Sequence, residues 1–106
     1  MTDKIRTDEM NRLFEAVLQL KNPEECYRFF MDVCTINELQ SMSQRYAVAV
    51  MLTQGYTYCE IAESTGASTA TISRVNRSLH YGSDGYEMVF GRLGIEEKQE
   101  SENKES

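Results

Sequence analysis

Apolar residues recur along this chain at steps of three and four, and almost nowhere at a step of two. That spacing lines one side of an α-helix and argues against strands, so an all-α fold is predicted. Over residues 7–20 the stripe is Leu13, Phe14, Val17, Leu18 and Leu20. The stretch "KNPEE" (21–25) then reads as a helix start. Asn22 can cap, Pro23 suits the first helical position, and Glu24 and Glu25 favour the positive end of the helix dipole. The helix it opens presents Cys26, Phe29, Phe30 and Val33 and ends near Val33. "TINE" (35–38) has the capping-box form, with Thr35 at the cap and Glu38 three residues on. A helix with Ile36, Leu39 and Met42 follows and is expected to break around Ser41–Ser43. The next one runs from about Gln44 to Gln54, where Gly55 stops it.

"TYCE" (57–60) repeats the capping-box pattern and opens a short helix over 58–65, terminated by Gly66. Ser68 caps a second helix over 69–80, about 18 Å long. "GSDG" (82–85) is a turn, and Tyr86, Val89, Phe90 and Leu93 make a last short helix closed by Gly94. A short helix, a tight turn and a longer helix form the helix-turn-helix pattern. In that geometry Ala62 is small because the second helix crosses close above it. Gly66 occupies the turn, where a positive φ is needed and a side chain is expected to clash. Ile72, Val75 and Leu79 face back onto the first helix.

What points away from that stripe carries the chemistry. At about 100° per residue, the side opposite Ile72, Val75 and Leu79 is Ala70, Ser73, Arg74 and Arg77, flanked by Thr69, Thr71 and His80. Small and hydroxyl residues at a helix start let the backbone approach base edges. Ser68, Thr69, Thr71 and Ser73 can bond bases or phosphates, the Ala70 methyl can meet a thymine methyl, and the arginines can reach guanine or phosphate. Thr57 and Tyr58 stand where the first helix would cross the phosphate backbone. The alternative is a structural hairpin with a merely solvated polar side, but a solvated helix mixes Glu and Lys across that side and this one has neither.

Charge sharpens the point. The chain has 106 residues and a net charge of −6, yet residues 64–82 contain no Asp or Glu. The final stretch "EEKQESENKES" holds five glutamates, two lysines and no apolar residue, and so reads as an acidic disordered tail. The expected organisation is a helical DNA-binding domain over 1–94 and that tail over 95–106. No apolar run approaches the roughly 20 residues that cross a bilayer, and the beginning lacks a signal-peptide apolar region. A soluble intracellular protein without membrane contact is expected, cytoplasmic and nucleoid-associated. Cys26, Cys34 and Cys59 form no CxxC pair and the only histidine is His80, so reduced, partly buried thiols are expected and no metal or other cofactor. An active-site cysteine paired with His80 is the enzymatic alternative, but no paired carboxylates and no Gly-rich phosphate loop accompany it, and no enzyme is expected. Six tyrosines and six methionines fall mostly on the inner stripes, consistent with core packing and burial against a second copy of the chain.

"ATISRVNRSL" (70–79) resembles the recognition segment of the tryptophan repressor family, and the likeness extends through "TINELQSMSQRYAVAVMLTQG" to cover roughly residues 30–94. "FFMDVCTINEL" and "SLHYGSDGYEMVF" look like the YerC/YecD branch of Trp repressor-like proteins. The resemblance implies an intertwined all-helical homodimer that binds double-stranded DNA, with two recognition helices in successive major grooves and half-sites about 34–36 Å apart. It also implies a transcriptional regulator, a repressor by family analogy. In the founding repressor the corepressor's indole lies between two arginines, with a glycine, a serine and a threonine lining the pocket. By resemblance Arg45 and Arg74 fall on the arginines, Ser78 on the serine and Thr35 on the threonine, whereas the glycine position is Val75. A branched side chain there takes the space the ring needs, so tryptophan is not expected to bind. Val75 would instead fill a vestigial pocket from within, leaving Arg45 to pair with an acid such as Glu38 or Asp32. The alternative is a pocket reshaped for another small-molecule effector. A rival of another class is a helix-turn-helix module that binds the transcription machinery without base readout; it would need apolar residues on the outward face of 69–80, where Ala70 is the one apolar residue at the centre.

Overall fold

The computed structural model describes residues 3–97. The described part of the expected tail is therefore Ile95–Glu97, and residues 98–106 lie outside the described residues. Six α-helices follow a single 3₁₀ turn at Asp3–Ile5, and no strand occurs among the described residues. The chain divides at Leu39 and Gln40 into two compact units.

In the first unit, α1 (Asp8–Val17) is capped by Thr7, whose hydroxyl accepts from the Met10 N–H at 3.0 Å. It ends before the expected Leu20. The amides of Gln19 and Leu20 bond back three residues, to Ala16 at 3.0 Å and Val17 at 3.1 Å, so the last turn tightens and closes. The chain must be extended at Asn22, because the ring of Pro23 disfavours helical backbone before it. In α2 (Pro23–Val33), Asn22 Oδ1 accepts from the Glu25 N–H at 2.9 Å, as the cap signal predicted. Neither α1 nor α2 buries a single residue in the isolated chain. Phe14, Tyr27, Met31 and Val33 all remain more than half exposed.

Thr35 and Glu38 form the expected capping box: the Glu38 N–H donates to Thr35 Oγ1 at 3.1 Å and the Thr35 N–H to Glu38 Oε1 at 2.8 Å. That bond gives the Glu38 carboxylate a backbone partner. The helix that follows, α3 (Ile36–Thr53), is unbroken, and the interruption expected at Ser41–Ser43 does not occur. Both serines are exposed, where their weak helix propensity costs only a few tenths of a kcal/mol. Their neighbours Gln40, Met42, Gln44 and Arg45 are good helix formers, so propagation continues through them.

The second unit packs the rest of α3 with α4 (Tyr58–Thr65), α5 (Thr69–Tyr81) and α6 (Gly85–Leu93). Its core is Val48 and Ala49 of α3, Ile61 of α4, Ala67 of the turn, Ile72 and Val75 of α5, and Phe90 of α6. Ile61 and Ile72 are wholly buried, each side chain contributing about 1.5–3 kcal/mol by leaving water. Phe90 stacks edge-on against Tyr46, with ring centroids 5.8 Å apart, and lies beside Tyr86 at the same separation. Packing continues to Ile95, whose N–H bonds to the Phe90 carbonyl at 2.9 Å.

Two glycines shape the ends of α4 and α5. Gly66 has φ +76° and terminates α4 in the left-handed conformation, as expected. The expected clash is absent: a Cβ at Gly66 would meet nothing nearer than Gln44 Nε2 at 4.0 Å, so backbone conformation alone selects glycine there. Gly82 is the opposite case, since a Cβ there would collide with the Ser78 carbonyl oxygen.

Candidate nucleic-acid interface

The helix pair α4–α5 follows from three local devices. Thr57 and Glu60 form a capping box that starts α4, with bonds of 3.1 Å to the Thr57 hydroxyl and 2.8 Å to the Glu60 carboxylate. Thr65 then locks the turn: its hydroxyl donates to the Ile61 carbonyl at 2.7 Å and accepts from the Ala67 N–H at 3.1 Å. Ser68 starts α5 by accepting from the Thr71 N–H at 3.1 Å, and its own hydroxyl donates to Thr71 Oγ1 at 3.1 Å.

With Ile72 and Val75 anchored in the core and Leu79 packed against it, the opposite flank of α5 faces outward. Thr69, Ala70, Arg74, Arg77, Ser78 and His80 are exposed, and Thr71 and Ser73 are half-buried. No carboxylate occurs on α5, so both guanidinium groups stand on a flank free of acidic neighbours from their own helix. Ser73 and Arg77 line an open depression with Tyr58, Asn76, His80 and Tyr81, which brings the start of α4 and the later part of α5 to one groove. His80 Nδ1 lies 2.9 Å from the Asn76 carbonyl oxygen, so the ring is tied back to its own helix.

The expected contact residues thus fall into two groups. Tyr58, Ser73 and Arg77 share the groove, while Thr69, Ala70 and Arg74 stand exposed on α5. Thr57 is half-buried, and the hydroxyls of Thr57, Ser68 and Thr71 already serve the helix caps. Spacing arguments missed Tyr81, which is 84 % exposed and borders the same depression. It lies nine residues from Ile72, a rotation of about two and a half turns, and therefore points directly away from the core.

Of the residues aligned with the corepressor pocket, Val75 is 2 % exposed and belongs to the core. Arg74 and Ser78 are exposed, Arg45 is half-buried, and Thr35 is committed to its cap. Cys26 and Cys59 are exposed rather than partly buried, since neither α2 nor the first turn of α4 is covered on that side, and Cys34 is half-buried. Among the described residues no cluster of three or more His, Cys, Asp or Glu could hold a metal, and no helix is long and apolar enough to cross a membrane.

A capped short helix, a left-handed glycine turn and a longer helix with an exposed basic flank define a helix-turn-helix protein of all-helical fold. Residues 8–94 match the family model of the Trp repressor protein, and the chain belongs to that family of helical DNA-binding regulators. It is 57 % identical over 99 residues to the protein YerC of Bacillus subtilis (strain 168), an alignment spanning 93 % of this chain and 95 % of YerC. Among solved structures it resembles a TrpR-like protein from Eubacterium eligens ATCC 27750, with TM-score 0.87 and 61 % identity over 92 % of this chain and 100 % of that one. It also resembles a candidate Trp repressor from Staphylococcus aureus, with TM-score 0.88 and 55 % identity over 92 % of this chain and 99 % of the other.

Proposed function

We propose that this protein is a sequence-specific transcriptional repressor that binds double-stranded DNA as a homodimer, laying α5 in the major groove. The observation that carries this reading is the division of α5 into a buried side, Ile72 and Val75, and an exposed side bearing Ala70, Arg74 and Arg77 without a carboxylate. Arg74 and Arg77 supply guanine or phosphate contacts, Ala70 and Thr69 lie near base edges, and Tyr58 and Tyr81 meet the backbone beside them. The bare apolar surface of α1 and α2 supports the homodimer: Phe14, Tyr27 and Met31 are exposed, and a monomer rarely leaves such a surface in water. The protein acts in the cytoplasm on the nucleoid and needs no cofactor.

The test is DNA binding across a salt range by gel shift or fluorescence anisotropy. Wild-type affinity is modest, because each half offers few cations to phosphate, and it falls between low and physiological salt, because each such contact releases counterions. The double substitution Arg74→Ala, Arg77→Ala abolishes binding and leaves the oligomeric state intact. Unchanged affinity of that variant at low salt contradicts the proposal. The second reading, a module that contacts the transcription machinery without reading bases, draws support from the 84 % exposure of Tyr81. It predicts that the double substitution leaves protein partners bound.

A further inference from the structure

The acidic end of the chain leaves the fold beside the basic helix. Glu97 lines one groove together with Asn76, Leu79 and His80, on the last turns of α5. Asn76 and His80 also border the adjoining depression that contains Arg77 and Tyr81. Arg77 is one helical turn from His80, and Arg74 is about 9 Å further back along the axis than His80. The nine residues 98–106, at about 3.3 Å each, reach roughly 30 Å from Glu97, several times what is needed.

The charges are complementary. Residues 64–82 carry two arginines and no acid, whereas residues 96–106 carry five glutamates and two lysines and no apolar side chain. A tether this short holds the tail near the helix at about millimolar effective concentration. An exposed Arg–carboxylate pair is weak singly, so such a tail would exchange rapidly on the surface and several pairs would act together.

We propose that the chain's own residues 96–106 dock on the outward flank of α5 and compete with DNA phosphates for Arg74 and Arg77. The inference rests on the assignment of α5 as the DNA-binding helix and concerns the regulation of that surface. The tail thereby suppresses non-specific binding, because a weak electrostatic contact is displaced only by a duplex that adds base contacts to its phosphates.

The full chain is compared with a variant in which Glu100, Glu102 and Glu105 are replaced by Gln, so that Glu97 and the groove it lines are left as they are. The first readout needs no DNA. Amide spectra of the two proteins at low salt differ at positions 73–81, and raising wild-type samples to about 0.5 M salt, where the screening length is only a few ångströms, moves those amides toward the variant's positions. Identical spectra over 73–81 overturn docking, and they do so even where the tail weakens DNA binding by plain repulsion. The second readout is affinity for a random-sequence duplex. The variant binds about threefold to tenfold tighter at low salt, and the two proteins converge at high salt; equal affinity at low salt overturns the competition. If neither protein binds any duplex, the DNA-binding assignment fails and the competition with it, while the spectra alone decide whether the tail docks.

Discussion

Gln44 on α3 donates its side-chain amide to the carbonyl oxygen of Thr65, 3.1 Å away and 21 residues further along the chain. Thr65 is the last residue of α4, so its carbonyl is one of the acceptors that a helix end leaves without an intrahelical partner. The bond fixes the end of α4 to α3 at the point where the chain turns into α5. It is a tertiary brace for the helix-turn-helix.

Gln44→Ala removes the donor from a part-buried carbonyl and should destabilise the protein by about 1 kcal/mol. Denaturant unfolding measures this as a lower midpoint at constant slope. Faster hydrogen exchange at Ala67 and Ser68 would place the loosening in the turn.

Substitution at Gly66 separates backbone strain from crowding. Because a Cβ would have room but φ is +76°, Gly66→Ala should cost about 1–2 kcal/mol, and Gly66→Asn distinctly less, since Asn tolerates the left-handed region. Equal losses for Ala and Asn in thermal or denaturant unfolding would indicate a steric cause instead.

These two sites mark what the sequence makes legible. Caps at Asn22, Thr35, Thr57 and Ser68, and the glycine at 66, act through neighbours within three or four residues, so their patterns are readable in one dimension. The outward flank of α5 was readable for the same reason, because Ile72 and Val75 set its phase. The Gln44–Thr65 brace joins distant segments and has no local signature. The serines at 41 and 43 suggested a break because side-chain hydroxyls compete for backbone bonds in general. The surrounding helix formers outweighed them. Tyr81 lies one residue beyond the span 69–80 that the cap and the apolar stripe delimit, and the same rotation carried one residue further puts it on the exposed side.

The uncovered side of α1 and α2 bears on assembly. Phe14 and Met31 are 53 % and 60 % exposed in the isolated chain. If the proposed homodimer forms through this side, Phe14→Glu or Met31→Glu should shift the protein from dimer to monomer in sedimentation or light-scattering measurements, because each would bury an unpaired charge there. A variant that keeps the wild-type mass at micromolar concentration would remove these residues from the interface.

Val75 bears on the effector. With its side chain 2 % exposed and packed in the core, tryptophan should produce no heat in titration calorimetry and leave DNA affinity unchanged. A saturable tryptophan response in either assay would show that a ring-sized space opens beside Val75.

Selection of bound duplexes from a random DNA pool tests the central claim most directly. Wild-type protein should enrich a two-fold symmetric site whose halves lie about 34–36 Å apart, one helical turn, and the Arg74→Ala, Arg77→Ala variant selected in parallel should enrich nothing. Absence of any enriched site for the wild type at low salt, or recovery of the same site by the variant, would contradict the assignment of α5 as the helix that reads DNA.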